Sequence, residues 1–163
     1  MAQNIVGITH VLFLAMENII PVRAASHLRT GGKKQMFNYL KGFTLSTGFL
    51  TLSLLALIAF FSKQIIVMFY GAEFIGYQYM LLGFCGLYVI IFMGYPLRYA
   101  IRTLENTRLI FLSFIVSSAF SILTAYPIIK MFGLAGVLIG LVATQLITIF
   151  IYWYHLRKEM AGP

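Results

Sequence analysis

The sequence predicts an all-α protein, a polytopic membrane bundle of about five transmembrane helices within one domain covering residues 1–163. Three observations predict it. Hydrophobic residues fill 61% of the chain and charged ones only 10%, and mean hydropathy is +0.92. A soluble domain carries about 25% charge, because something polar must face water. The charges also fall in clumps. Residues 42–62, 74–97, 109–129 and 131–156 are uncharged runs of 21, 24, 21 and 26 positions. A helix crossing a ~30 Å hydrocarbon core at ~1.5 Å per residue needs about 20. Finally, the cations sort to alternate ends of these runs. One side takes Arg23, Arg29, Lys33, Lys34, Lys41, Arg98, Arg102, Arg108, Arg157 and Lys158; the other takes only Lys63 and Lys130. That asymmetry follows the positive-inside rule, which puts the ten in the cytoplasm, the C-terminus inside and the N-terminus outside.

The first span, residues 5–22, is the least apolar, with His10, Glu17 and Asn18 in it. Such residues suit a helix that faces protein or water rather than lipid. A secretory signal peptide is the alternative, but no basic segment precedes the stretch and no small-x-small cleavage site follows it. Gly31-Gly32 breaks the helix that follows, and "KKQMFNYLKG" leads amphipathically into the second span, residues 43–61. The outer segment "SKQIIVMFYGAEFIGYQY" is too short to cross. It reads as an interfacial helix ended by Gly71, with Ile65, Ile66 and Phe69 on one face and Tyr70, Phe74, Tyr77 and Tyr79 nearby. Spans three to five are residues 77–97, 109–129 and 134–155. The turn "KMFG" between the last two forces an antiparallel hairpin, and "YWY" at 152–154 forms an inner aromatic belt. Pro21, Pro96 and Pro127 lie near span ends and are expected to terminate or kink them.

An odd number of spans with the first end outside predicts that this is the C-terminal part of a longer membrane protein. The leading "MAQN" carries no charged side chain that would explain its position outside.

Little in the chain supports enzyme chemistry. His10, His27 and His155 are scattered, the one cysteine, Cys85, lies in an apolar run, and four acidic residues give no carboxylate pair. Neither a metal site nor a cofactor is expected. "TGGKKQ" lacks the earlier glycine and the Ser/Thr after lysine of a phosphate loop. The net charge of +8 is accounted for by cytoplasmic loops, so no nucleic-acid partner is implied.

Four stretches carry a resemblance: "ENIIPVRAASHLRTGGKKQMFNYLK", "FYGAEF", "YPLRYAIRTLENTR" and "FGLAGVLIGLVATQ". In order and spacing the chain resembles the second half of polysaccharide-type flippases of the multidrug/oligosaccharidyl-lipid/polysaccharide exporter superfamily. The resemblance implies two six-helix lobes around a cavity. It also implies alternating-access movement of undecaprenyl-pyrophosphate-linked oligosaccharide across the bacterial cytoplasmic membrane, for surface polysaccharide synthesis. This chain matches the last five helices of the second lobe, so the missing N-terminal lobe, membrane lipids and the lipid-linked substrate are its expected partners. The alternatives are a drug or small-molecule exporter of the same superfamily, and a non-transporting scaffold subunit of a polysaccharide-assembly complex.

Within that frame the polar residues of the spans are the candidate site. His10 and Glu17 are seven apart and share a helical face, with Asn18 beside it. Arg98 and Arg102, four apart at the inner end of span three, reach a similar depth. A Glu17–Arg98 or Glu17–Arg102 pair would latch an inner gate, or the arginines would meet a pyrophosphate, which suits their bidentate geometry. A plainer alternative has Glu17 wetted by headgroups and balanced by Arg23. Gln145 and Thr144 in span five are candidates to line the cavity. Gly136 and Gly140, with Gly133 ahead, and Ser113, Ser117 and Ser121 every fourth residue, are expected to let helices pack closely in lipid, inside the lobe or, as the alternative, at a dimer seam.

Overall fold

The computed structural model describes residues 2–161, which are helical almost throughout. The elements are α1 (Ala2–Val6), α2 (Ile8–Phe60), α3 (Ser62–Tyr70), a 3-10 turn (Ala72–Tyr77), α4 (Gln78–Thr103), α5 (Thr107–Phe132) and α6 (Leu134–Ala161). Among the described residues, four helices are long and apolar enough to cross a membrane: Thr9–Phe60, Ala72–Thr103, Thr107–Phe132 and Leu134–Glu159.

The first of these is folded in two. Gly31 (φ −138°, ψ 17°) and Gly32 (φ 68°, ψ −169°) leave helical geometry, and the second conformation is open only to glycine. His27 and Tyr39, twelve residues apart, bring their rings to 4.6 Å. A continuous helix would hold them about 18 Å apart. The chain therefore reverses, giving a first arm (residues 8–30) and a second arm (residues 33–60) that correspond to the first two apolar stretches. On the second arm Met36 and Leu40 are buried while Lys33, Lys34, Asn38 and Lys41 are exposed, the amphipathic lead-in that its sequence predicts.

α4 is the axis of the bundle. Its first half packs with Val6, Phe13, Leu55 and Ile58 in one buried cluster. Its last turns join Ile20, Ala24, Met36, Leu40, Tyr152 and Leu156 in a second. The first arm therefore runs parallel to α4 and the second antiparallel. α6 lies against α4 in parallel register: a Cβ on Gly83 would come within 2.5 Å of Leu138, and one on Gly94 within 3.2 Å of Ile149. Both pairs share one offset, and Gly83 and Gly94 lie three turns apart on one face of α4. Missing side chains at these two points let the helices approach in lipid, where no hydrophobic force draws them together.

α5 and α6 form the hairpin that "KMFG" predicts, turning at Gly133, whose φ of 58° is left-handed. The Ser113 hydroxyl donates to Tyr152 Oη at 2.9 Å, and Ser117 Oγ lies 2.8 Å from Thr148 Oγ1. The positions in each pair add to one value, as antiparallel strands of contact require. Ser121, the third of the series, is exposed. Gly136 is buried, with a Cβ there meeting the Ile128 carbonyl oxygen at 2.6 Å, whereas a Cβ on Gly140 would meet nothing within 4 Å. The three glycines thus act differently: Gly133 turns the chain, Gly136 packs against α5, and Gly140 borders open space.

None of the three prolines near the span ends terminates a helix. Pro21, Pro96 and Pro127 all lie inside α2, α4 and α5, which continue to Phe60, Thr103 and Phe132. Neighbouring helices and local adjustment let membrane helices accommodate proline. The outer segment forms α3, stopped by Gly71 at φ 98°, with Ile66 buried and Phe69 exposed.

These directions gather the Gly31–Gly32 turn, residues 104–106 and the end of α6 at one end of the bundle. Lys33 Nζ donates to the Glu159 carbonyl at 3.5 Å, and the Asn106 amide lies 2.9 Å from His155 Nε2. The ten clustered cations lie toward this end, and Lys63 and Lys130 toward the other.

Candidate functional site

A carboxylate inside an apolar helix needs a partner, because an unpaired charge in hydrocarbon is costly. Glu17 has two. Its Oε1 lies 3.0 Å from Arg98 Nη2 and 3.6 Å from Arg102 Nη1. The parallel packing of the first arm on α4 sets this up, and the i, i+4 spacing puts both guanidinia on the face that meets Glu17. Arg98 stands five residues before the end of α4 at Thr103, about 7 Å in.

The triad is only partly shielded: the side chains of Glu17, Arg98 and Arg102 are 23%, 33% and 48% exposed. Arg98 is further fixed by the ring of Phe114, whose centroid lies 5.8 Å from the guanidinium carbon. It therefore bridges three elements, the first arm, α4 and α5.

Arg98 also forms part of a cleft of about 240 Å³ running between the first arm, α4, α5 and α6. His10, Tyr95, Gln145, Thr148 and Tyr152 share its walls with Gly94, Ile149 and Phe114. The cleft offers imidazole, phenol, amide, hydroxyl and guanidinium groups in an otherwise apolar surrounding. Such a set binds polar or anionic groups by hydrogen bonding.

Of the residues expected at the site, Glu17, Arg98, Arg102, His10 and Gln145 come together in the triad and the adjoining cleft. Asn18 does not join them: it is exposed, and its amide reaches back to the Leu14 carbonyl at 3.5 Å. Thr144 bonds the Leu141 carbonyl of its own helix at 2.8 Å. Arg23 is exposed, and the ion pairs of Glu17 are with α4. The histidines separate, with His27 stacked on Tyr39 and His155 against Asn106. Among the described residues, no three His, Cys, Asp or Glu side chains come together as metal ligands would.

Tyr95, Gly94 and Phe114 are wall residues that sequence reasoning did not single out. Gly94 carried a signal, lying eleven positions after Gly83, a spacing that repeats on one helix face. Tyr95 and Phe114 sit among many similar aromatic residues, and nothing local distinguishes them. Compared with known proteins, the chain matches no family model, no curated sequence and no solved structure.

Proposed function

We propose that this chain is a five-span segment of a bacterial inner-membrane flippase, moving a pyrophosphate-linked lipid oligosaccharide across the cytoplasmic membrane for surface polysaccharide synthesis. In this reading the two arms of α2 each cross the bilayer, followed by α4, α5 and α6. The basic end is cytoplasmic, so the C-terminus is inside and the N-terminus outside. A further lobe completes the cavity, and alternating access carries the substrate.

One observation carries the reading: Glu17, Arg98 and Arg102 form an ion-paired triad near the basic end of an apolar bundle, opening onto a cleft shared by His10 and Gln145. Ionisable groups held inside a membrane bundle mark substrate or ion pathways. The triad closes the basic end of the first arm against α4 when paired. An incoming pyrophosphate competes with Glu17 for the same guanidinia and releases it. Binding and opening are then one event, since the ligand favours the unpaired state.

The test is genetic and direct. Deleting the gene in its host should abolish or sharply lower surface polysaccharide, and the Glu17→Gln allele should lower it at normal protein level. Normal polysaccharide in the deletion strain would end the flippase reading. Normal polysaccharide with Glu17→Gln alone would remove the latch from it.

A further inference from the structure

α4 and α5 are joined by a short turn at residues 104–106, yet a groove of about 410 Å³ opens between them, lined by Arg98, Arg102, Thr107, Ile110, Phe111 and Phe114. Its chemistry is graded along its length. Arg102 and Thr107 flank the turn at the basic end. Ile110, Phe111 and Phe114 follow one and two helical turns further along α5, away from that end. The apolar part is open: Phe111 is 67% and Phe114 50% exposed.

The polar part has cationic capacity to spare. Glu17 serves both arginines through one oxygen, so the pair of guanidinia keeps a net positive charge. Arg98 is committed, to Glu17 at 3.0 Å and to the Phe114 ring. Arg102 is not. At 3.6 Å its contact with Glu17 is an ion pair longer than a hydrogen bond, which leaves its N–H donors available to the groove. Glu105, on the turn, is exposed and forms no ion pair among the described residues, while Arg108 beside Thr107 adds another cation.

We propose that this groove binds an anionic phospholipid of the bilayer. Arg102 and the outer edge of Arg98 take its phosphate, the Thr107 hydroxyl donates beside them, and an acyl chain lies along Ile110, Phe111 and Phe114. Guanidinium and phosphate match in a bidentate geometry. Headgroup charge next to a basic juxtamembrane surface adds long-range attraction. A free phosphate would satisfy the arginines but leave the adjoining aromatic wall unused, whereas a lipid occupies both. The inference rests on the membrane placement proposed above, but not on translocation. Occupancy weakens the hold of Glu17 on Arg102 first, so the lipid acts on the triad through Arg102, which lines the groove and not the cleft.

The test is lipid retention by the full-length chain, measured by native mass spectrometry from micelles containing equal phosphatidylglycerol and phosphatidylcholine. Phosphatidylglycerol should be retained preferentially. Arg102→Gln should lower that retention about fivefold, and Arg102→Lys should restore part of it. Lys63→Gln, at the other end, should leave it unchanged. Equal retention of the two lipids, or no effect of Arg102→Gln, would overturn the proposal. So would full displacement of the lipid by inorganic phosphate at equal concentration, which would assign the site to a free anion. A second reading alters no arginine and so survives any folding defect in Arg102→Gln. In a Trp153→Phe, Phe111→Trp protein, tail-brominated phosphatidylglycerol should quench the new tryptophan more than brominated phosphatidylcholine, and equal quenching would also overturn the proposal. Surface polysaccharide is a separate readout, so lipid binding and transport can fail independently.

Discussion

Glu17 Oε1 lies 3.0 Å from Arg98 Nη2, joining two helices whose contacting residues are 81 positions apart in the chain. The same oxygen reaches Arg102 at 3.6 Å, so one carboxylate organises two cations one turn apart. The pair should contribute more than a fully exposed surface bridge, because it is only partly open to solvent and lies in an apolar surrounding. A double-mutant cycle with Glu17→Gln and Arg98→Gln, read by thermal unfolding in detergent, should give a coupling of about 1–2 kcal/mol. Arg98→Gln alone should cost more than Arg102→Gln alone, since Arg98 also loses its contact with Phe114. Coupling indistinguishable from zero would reduce the triad to coincident surface charges.

The glycines of the α4–α6 and α5–α6 contacts give a ranking rather than a single value. At Gly136 an added methyl would meet the Ile128 backbone oxygen at 2.6 Å, and backbone cannot swing aside. At Gly83 the obstacle is the tip of Leu138 at 2.5 Å, which can rotate. At Gly140 nothing lies within 4 Å. Gly136→Ala should therefore destabilise by about 1–3 kcal/mol and Gly83→Ala by less. Gly140→Ala should be neutral or stabilising by up to about 1 kcal/mol, because alanine is the better helix former. Thermal unfolding of the three variants side by side checks the order, and a Gly140→Ala loss as large as that of Gly136→Ala would refute it.

The Gly31–Gly32 reversal makes a sharper local claim. Gly32, at φ 68° and ψ −169°, occupies a region that side chains avoid, whereas Gly31, at φ −138°, does not. A Cβ on Gly31 would meet Gln35, whose amide end can rotate away but whose own Cβ, at 2.8 Å, moves only with the backbone. Gly32→Ala should cost about 1–3 kcal/mol, from backbone strain, and Gly31→Ala less, about 1 kcal/mol, from the shift that Gln35 must make. Limited proteolysis near Lys33 and Lys34 gives an independent reading, since a strained turn should be cut faster in Gly32→Ala than in Gly31→Ala.

Much of this bundle was legible because bilayer thickness imposes a length on neutral runs. The second arm, α4, α5 and α6 each contain one, and "KMFG" could only be a hairpin turn. Charge, however, marks the edge of the hydrocarbon and not the end of a helix. α4 continues to Thr103 and α6 to Ala161, past Arg98, Arg102, Arg157 and Lys158, because arginine and lysine are good helix formers. Proline positions did not mark helix ends either, since Pro21, Pro96 and Pro127 sit inside helices that run on. At the site, depth along the helices predicted which charges could meet, and Glu17 meets both arginines. Rotation about the helix decided what depth could not. Asn18 follows Glu17 by about 100° around the first arm and bonds its own backbone instead. The parallel contact of α4 with α6 through Gly83 and Gly94 joins elements separated by all of α5, and the glycine spacing marks a contact face without identifying the helix that fills it.

The membrane placement makes one prediction that needs no assumption about transport. The bundle separates its cations, with Lys34 beside the Gly31–Gly32 turn and Lys63 at the start of α3 toward the opposite end. Cys85 is buried among apolar side chains, so Cys85→Ala, which buries no hydroxyl, gives the cysteine-free background. In that background, single Lys34→Cys and Lys63→Cys proteins should react with a membrane-impermeant maleimide from opposite sides of the membrane. Lys63→Cys should label in intact cells, and Lys34→Cys only in inverted vesicles or after permeabilisation. Both positions are exposed, so a failure to label cannot be laid to burial. Labelling of both from the same side would mean that α2 does not place its second arm across the bilayer, and with that the five-span reading and the lipid groove between α4 and α5 would both lose their footing.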